Sequence, residues 1–573
     1  MPAENAGRAF ALVLADELAD CGVRHAVVAP GSRSTPIALA LLENPHIKVH
    51  VRIDERSAAY LALGIAKATA SIVPVLCTSG TATSYFHAAV MEADLAHVPL
   101  LVLTADRPPE LHGIGANQTV DQVGMFGAAV RWAPDVPVPE PGPHSVDAWR
   151  AMIRTAAEWC DGANHEPVGP VHLNLPLRDP LLPVPDDEGF PYELGLKNRA
   201  GPMSWTRTVA GVRPTFVPDE IAARVAGARR GVLVVGGNAG PVDAALEFAR
   251  AARWPVIAEP HSNARVPDLA LRATDALLRD RSFATADLAI VVGRVGLSRT
   301  LLEWLGRTPH VVIAPGGGNW DVTRTALAVI RPHLGYDAFD ELSAPAAEPA
   351  WSTAWHDASR SISRRIDAVI DESPTLTEPA VARDVAALLP DGAALVVSSS
   401  MPIRDLDVVM APRDGLTIYA NRGVSGIDGF VSTAQGIAIG RDGRGPTVAL
   451  CGDLSLLHDV NGLLPAPDPR PDVTYVVINN DGGGIFSLLS QGTGLERTAF
   501  ERLFGTPHGV SIEAVAAAYQ AAYTRVRTAA ELAEALAKVE GVRIVEVRTD
   551  RAENAALHAR IREIAVADGR SGL

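Results

Sequence analysis

Two short segments in the C-terminal third of the chain carry the residue types of a divalent-cation site. Gly452-Asp453 closes the apolar run Thr447 to Cys451, and Asn479-Asn480 closes the apolar run Val473 to Ile478. Both dipeptides fall where strands should end. Asp453 and Asn480 are far enough apart for a strand, a crossover helix and a return strand, so their side chains can converge at the sheet edge where open α/β sheets bind ligands. A carboxylate, an amide oxygen and a backbone carbonyl from the following glycines, Gly482 among them, make a hard-oxygen set. Such a set suits Mg²⁺, which takes the rest of its shell from water and phosphate. The chemistry expected is a magnesium-bound diphosphate. A Gly-Asp turn and an unrelated Asn-Asn turn would each explain half of the pattern, and it is the pair at this spacing that argues for a site.

A second candidate lies near the N-terminus. Glu55 follows the apolar run Val49 to Ile53 and precedes the helix-like SAAYLALGIAKA, which places it just beyond a strand. In a buried cofactor pocket its carboxyl would be pushed up by desolvation, a condition suited to proton exchange near neutral pH. An acid at a helix N-terminus, favoured by the helix dipole, explains Asp54-Glu55 equally well on its own.

Positioning such groups requires parallel sheets, and the chain has the pattern for them. An amphipathic run to Asp20 stops at Gly22; extended runs follow at His25 to Ala29, Ile47 to Ile53, Val73 to Thr78 and Val98 to Ala105, with helix-like segments between. This is the alternation of a doubly wound sheet. Prolines crowd the segment 176–191, where a helix or central strand could not continue. A further α/β unit begins at Gly231 and ends before the Ala/Pro-rich segment 343–350, and a last one follows. At roughly 150 to 200 residues per domain, 573 residues accommodate three. The expected organisation is three doubly wound α/β domains, 1–186, 187–345 and 346–573.

Bulk composition excludes several function classes. Hydrophobic residues at 47% and charged residues at 20% describe globular cores, and a net charge of −15 argues against a nucleic-acid partner. Cys21, Cys77, Cys160 and Cys451 form no CxxC pair, so a disulfide framework or zinc knuckle is not expected and a reducing cytoplasm fits. The N-terminal segment mixes Glu4, Arg8, Asp16, Glu17 and Asp20 into its apolar residues, unlike a signal peptide. No run approaches the roughly 20 apolar residues of a membrane span.

The neighbourhoods of both candidates resemble one enzyme family. The segments are PGSRSTP at 30–36, DERSAAYLALGIAK at 54–67, TSGTATS at 78–84, ADRPPELHGIGANQTVDQ at 105–122, SSSMPIRDLD at 398–407, NRGVSGIDG at 421–429, GDLSLLHDVNGL at 452–463 and NNDGGGIFSLL at 479–489. In this order they resemble the 2-succinyl-5-enolpyruvyl-6-hydroxy-3-cyclohexene-1-carboxylate synthase family of thiamine-diphosphate enzymes in menaquinone biosynthesis. The likeness covers the first and third domains almost end to end and is weak in the middle.

That resemblance implies pyrimidine-binding, central Rossmann-like and diphosphate-binding domains, and a transferase that decarboxylates 2-oxoglutarate and adds the four-carbon unit to isochorismate. It implies Asp453, Asn480 and the Gly482 carbonyl as ligands of Mg²⁺ or Mn²⁺, and Glu55 as the acid at N1′ of the aminopyrimidine. Gly426, Gly452, Leu454 and Ser455 belong to its cofactor-binding pattern, Ile427 is the apolar wedge under the cofactor, and Ile485 and Phe486 wall its thiazolium side. Both substrates are dicarboxylates, and an acidic protein must gather guanidinium groups to hold them. Arg33, Arg107, Arg404 and Arg422 lie in the matching motifs, with Ser32, Asn117, Gln118 and Ser400 as neutral partners; singly, each could be a surface arginine or a turn residue. Arg299, after the strand DLAIVVG, is the central-domain cation expected to reach the second substrate. The family also implies a homodimer or homotetramer with active sites at the subunit interface, and no nucleic-acid or integral membrane partner.

Besides a non-catalytic, ligand-sensing scaffold that has kept the cofactor fold, which an intact Glu55 disfavours, two alternatives stay open at this level. One is another enzyme of the same cofactor class, an acetohydroxyacid synthase or a simple 2-oxoacid decarboxylase, although no His-His pair of the pyruvate decarboxylase type occurs. The other is a nicotinamide-dependent oxidoreductase using GGNAGP at 236–241, which does not satisfy GxGxxG and reads better as part of a structural spacer.

Overall fold

The computed structural model describes residues 5–163, 167–183, 190–194, 217–281, 284–332 and 338–564. The expected boundary between residues 186 and 187 lies outside the described residues. Three sheets form, and every strand pair within them is parallel. The first contains β1 (His25–Val28), β2 (Lys48–Val51), β3 (Val73–Cys77), β4 (Leu100–Asp106) and β5 (Val171–Pro176) in the order β2-β1-β3-β4-β5. The second contains β6 (Gly231–Val235), β7 (Val256–Ala258), β8 (Leu288–Val292), β9 (His310–Ile313) and β10 (Ala328–Ile330) in the order β10-β9-β8-β6-β7. The third runs β12-β11-β13-β14-β16-β15, built from β11 (Ala393–Val397), β12 (Leu416–Ala420), β13 (Thr447–Gly452), β14 (Val473–Asn479), β15 (Ala522–Val526) and β16 (Val542–Arg548).

The central strands β3, β4, β6, β8, β11 and β14 and the edge strand β5 are buried at every residue, which explains their unbroken apolar runs: helices cover both faces, so no alternation is needed. In the first and third sheets the strand order reverses beside β1 and β11, and those are the points where the loops beyond the strands open a crevice.

Three sheets do not make three compact bodies here. The chain divides into two units, one of residues 1–211, 423–443 and 459–471, the other of residues 212–422, 444–458 and 472–573. In the second unit the middle and third sheets share one continuous core, from Val232 and Trp304 through Trp355 to Val448 and Val545. In the first unit the helix Phe430–Arg441, which in sequence lies between β12 and β13, packs on the helix Glu55–Thr69.

Glycine sets that approach. A Cβ at Gly64 would stand 2.2 Å from the Thr433 carbonyl oxygen, and one at Gly436 would stand 2.2 Å from that of Leu61. The two backbones touch where a side chain would otherwise separate them. Ser57 to Ala66 are all buried along the first helix, with Tyr60, Leu61, Leu63 and Ile65 in the core and close backbone contact at Gly64. No helix among the described residues is long and apolar enough to cross a membrane.

Candidate functional site

In the second unit, parallel pairing places Gly452 opposite Ile478, so Asp453 and Asn480 leave adjacent strand ends. Asp453 is 2% exposed. Its Oδ1 accepts the Leu454 N–H at 2.6 Å, its Oδ2 accepts the Gly482 N–H at 3.0 Å, and His508 Nε2 lies 3.3 Å from the same oxygen. Burial pushes its carboxyl up, while the Gly482, Leu454 and His508 contacts oppose that push. Asn480 Nδ2 donates to Glu378 Oε1 at 2.8 Å, whereas its Oδ1 is buried with no partner. An orphaned acceptor beside a buried carboxylate is costly unless something satisfies it. With the Gly482 carbonyl in the same loop, the donor set is all oxygen and suits a hard divalent cation. The described residues contain no cluster of three or more His, Cys, Asp or Glu side chains able to hold a metal, so any cation here depends on amide and carbonyl oxygens.

The loop has no spare space. A Cβ at Gly482, whose φ is +135°, would stand 1.9 Å from the Gly505 carbonyl, which itself accepts the Gly483 N–H at 2.8 Å. Ile485 and Phe486 follow in the short helix Gly484–Leu488, half-buried, and Phe486 meets Phe504 with ring centroids 5.4 Å apart. Gly452, Leu454 and Ser455 lie at the end of β13 and the start of the helix Asp453–His458.

Ser400, beyond β11, has φ +75° and ψ −130°, a conformation that strains a residue with a Cβ, and its hydroxyl does not cap the helix Met401–Val409 that it precedes. Its carbonyl accepts Arg404 NH1 at 2.6 Å, and Arg422 NH1 donates to Ser399 Oγ at 3.2 Å. Two guanidinium groups and a strained serine thus share one sheet edge. Burial lowers the Arg404 pKa, with Asp405 acting the other way.

In the first unit Glu55 is the first residue of its helix and half-buried. Asp54 takes the capping role: it accepts the N–H groups of Arg56 and Ser57, and Asn461 Nδ2 at 2.9 Å. The two acids are therefore not equivalent: Asp54 caps the helix, and Glu55 is the acid of its first turn. Its charge, after burial, helps push the Cys77 thiol up.

The loops beyond β1, β3 and β4 gather Arg33, Arg107 and Gln118. Arg107 NH1 donates to Ser79 Oγ at 3.2 Å, and Gln118 Nε2 donates to the Ser79 carbonyl at 2.8 Å. Arg33 is buried against the Leu177 carbonyl at 2.8 Å and Asp179 at 3.3 Å. Burial first and Arg33 second lower the Arg107 pKa, a mark of two like charges held close. Ser32 and Asn117 are exposed. Gly426 and Ile427 belong to this unit. Their loop is tied down by Glu92, which accepts the Gly423 and Val424 N–H groups at 2.9 and 2.7 Å, and by the Tyr60 hydroxyl donating to Asp428.

The middle sheet behaves differently. Arg299 is exposed at the start of the helix Arg299–Leu305. The glycines of 236–241 serve close packing: a Cβ at Gly236 would stand 2.2 Å from the Arg294 carbonyl, and one at Gly237 would stand 2.5 Å from His261 Nε2. Glu259, 4% exposed beyond β7, accepts the N–H groups of Gly296 and Leu297 at 2.8 Å each. Burial pushes its carboxyl up to about 7 against those bonds.

Several residues around these sites have no motif to announce them. Glu378, His508 and Glu92 are visible in sequence only as an acid heading an apolar helix, a turn histidine and an acid inside an apolar helix. Glu378 is 1% exposed, and burial followed by the nearby Asp405 pushes its carboxyl up to about 7.

Comparison with known proteins follows the same lines. The thiamine pyrophosphate enzyme N-terminal TPP binding domain matches residues 8–125, and the C-terminal TPP binding domain matches residues 409–547. The chain is 49% identical to 2-succinyl-5-enolpyruvyl-6-hydroxy-3-cyclohexene-1-carboxylate synthase of Thermobifida fusca (strain YX), over 98% of this chain and 99% of the relative. It is 41% identical to the protein of that name in Saccharopolyspora erythraea (97% and 98% covered) and 37% identical to that of Bacillus velezensis (96% of each). Among solved structures, benzoylformate decarboxylase from Polynucleobacter necessarius shares the fold with a TM-score of 0.68 at 19% identity, covering 96% of this chain and 99% of that one.

Proposed function

The chain belongs to the 2-succinyl-5-enolpyruvyl-6-hydroxy-3-cyclohexene-1-carboxylate synthase family of thiamine-diphosphate enzymes, and from that premise we propose the assignment of its substrates and site residues. It is a thiamine-diphosphate- and divalent-metal-dependent synthase of menaquinone biosynthesis. When bound, thiamine diphosphate supplies a thiazolium carbon that adds to a 2-oxoacid carbonyl and accepts the electron pair released with CO₂. The proposed substrates are 2-oxoglutarate and isochorismate, joined by carbon–carbon bond formation in a transferase reaction.

Asp453, Asn480 and the Gly482 carbonyl would hold Mg²⁺ or Mn²⁺, with Gly452, Leu454 and Ser455 lining the diphosphate. Gly426 and Ile427 would support the cofactor from below, and Ile485 and Phe486 would exclude water from its reactive side. Glu55 holds and returns a proton at N1′ of the aminopyrimidine. Arg404 and Arg422 with Ser400 form one carboxylate-binding group, and Arg33 and Arg107 with Ser32, Asn117 and Gln118 form another. Each pair offers forked donors to a carboxylate. Arg299 is assigned to the second substrate. Glu55 and the metal loop lie in different units, in keeping with a cytoplasmic homodimer or homotetramer whose sites are completed at the subunit interface.

The observation that carries this reading is the buried, unpartnered Asn480 Oδ1 beside Asp453. The test supplies the protein with Mg²⁺, thiamine diphosphate and 2-oxoglutarate, with and without isochorismate, and follows CO₂ release and product mass. A succinylated cyclohexene adduct that requires isochorismate is expected. Turnover of pyruvate but not 2-oxoglutarate would overturn the substrate assignment. Glu55→Gln is expected to keep the metal and cofactor while stopping exchange of the thiazolium C2 proton, read by NMR.

A further inference from the structure

An asparagine can ligate a hard cation through Oδ1 only, because its Nδ2 end carries donors. The two ends of the amide occupy nearly the same volume, so nothing in Asn480 itself decides which of them faces the metal loop. We propose that Glu378 is the positioning residue that turns Asn480 Oδ1 toward the divalent cation, an inference that rests on the reading of Asn480 as a metal ligand.

Glu378 Oε1 accepts from Asn480 Nδ2 at 2.8 Å and from Thr549 Oγ1 at 3.1 Å. Two donors on one oxygen make it an acceptor. A flipped amide would set Asn480 Oδ1 against that oxygen and strand a buried NH₂ group, at a cost of about 1–3 kcal/mol. The orientation seen leaves Oδ1 as the atom without a partner.

The holder is itself held. Glu378 is the first residue of the helix Glu378–Leu388, which Thr377 caps by accepting the Ala380 N–H at 3.3 Å. The Thr549 N–H donates to the Asn479 carbonyl at 3.0 Å, so the acceptor and the ligand are tied to the same strand end. Gly484 leaves the room required, since a Cβ there would stand 2.6 Å from Asn480 Nδ2. Asp405 and His558, an ion pair at 2.9 Å off the line of a hydrogen bond, complete the buried cluster. A carboxyl group suits this post because its Oε1 can accept from both donors at once. Outer-shell partners of this kind tune metal affinity by about 10- to 100-fold.

Mn²⁺ serves as the probe. Its binding to the full chain with thiamine diphosphate present is followed by loss of the free-ion EPR signal, and thermal midpoints are taken without metal. Glu378→Leu is expected to weaken Mn²⁺ binding about 10- to 100-fold, and Glu378→Gln, which keeps an acceptor oxygen, to recover most of it. Glu378→Asp keeps the charge but falls one methylene short of Asn480, and its Mn²⁺ binding is expected to weaken as well; this variant carries the test if the leucine variant does not fold. A lowered thermal midpoint with Mn²⁺ affinity unchanged within about twofold would make Glu378 a merely structural residue and overturn the proposal. Asn480→Ala separates the premise from the inference. If Asn480→Ala binds Mn²⁺ like the parent, the metal-site reading falls and this inference with it; if it loses Mn²⁺ while the Glu378 variants retain it, only the positioning role falls.

Discussion

The edges of the middle and third sheets each bury a glutamate whose carboxyl is pushed up to about 7, and they use it in opposite ways. Beyond β7, Glu259 spends its acceptor capacity on two backbone N–H groups of the loop beyond β8, and the site closes on itself. Beyond β14, Glu378 takes a side-chain amide and leaves that amide's oxygen unpaired. The same shift, from the same cause, accompanies a structural clasp in one place and an unpaired amide oxygen in the other. In both places the shift marks burial, and the hydrogen-bond partners are what differ.

Removing Asp453 should separate the two edges most sharply. Asp453→Ala is expected to abolish saturable Mn²⁺ binding and with it cofactor retention, as chelation by EDTA should in the parent, and calorimetric titration checks both. At the other edge, Glu259→Leu leaves the buried Leu297 N–H and the part-buried Gly296 N–H without their partner. It should cost about 2–4 kcal/mol in urea unfolding with Mn²⁺ affinity unchanged. A loss of metal affinity there would erase the distinction between the edges.

The pH response sharpens the contrast further. Glu259 titrates near 7 in the folded chain and near its ordinary 4.5 once unfolded, so between those values the folded state holds a proton that the unfolded state has released. Its contribution to stability is full below 4.5 and is lost as pH rises through 7. His261, Asp407 and Arg422 face the same carboxyl. Subtracting the stability–pH curve of Glu259→Gln from that of the parent should reveal that slope; a flat difference would mean that the carboxyl titrates normally. The smallest effect is expected at exposed Arg299, where Arg299→Ala should raise the KM for the second substrate several-fold with kcat little changed, as loss of a uniform binding contact does.

Much of the third sheet's site is legible in sequence, because strand ends announce themselves: an apolar run buried on both faces stops at Gly452-Asp453 and Asn479-Asn480. Arg33, Arg107, Arg404 and Arg422 are legible through motif resemblance, and the structure brings Arg33 close to Arg107 and sets Arg404 and Arg422 at one sheet edge. Glu378 is not legible. A single acid at a helix start has an adequate local explanation in the helix dipole, and its partner Asn480 is distant in sequence. The strain at Ser400 is hidden for a similar reason, since serine has no turn signature demanding positive φ. Three α/β sheets were legible in sequence; the shared core of the middle and third sheets and the place of the helix Phe430–Arg441 in the first unit were not.

By itself the sequence determined the parallel sheets, because periodicity is a local property, and through its family resemblance the cofactor class; residue type and position offered Asp453, Asn480 and Glu55 as candidates. Tertiary structure decided which end of the Asn480 amide is left open, that Asp54 and not Glu55 caps its helix, and which backbones touch at Gly64 and Gly436. Those outcomes depend on hydrogen-bond partners and backbone approaches between segments remote in the chain, and only the packed fold brings them within reach.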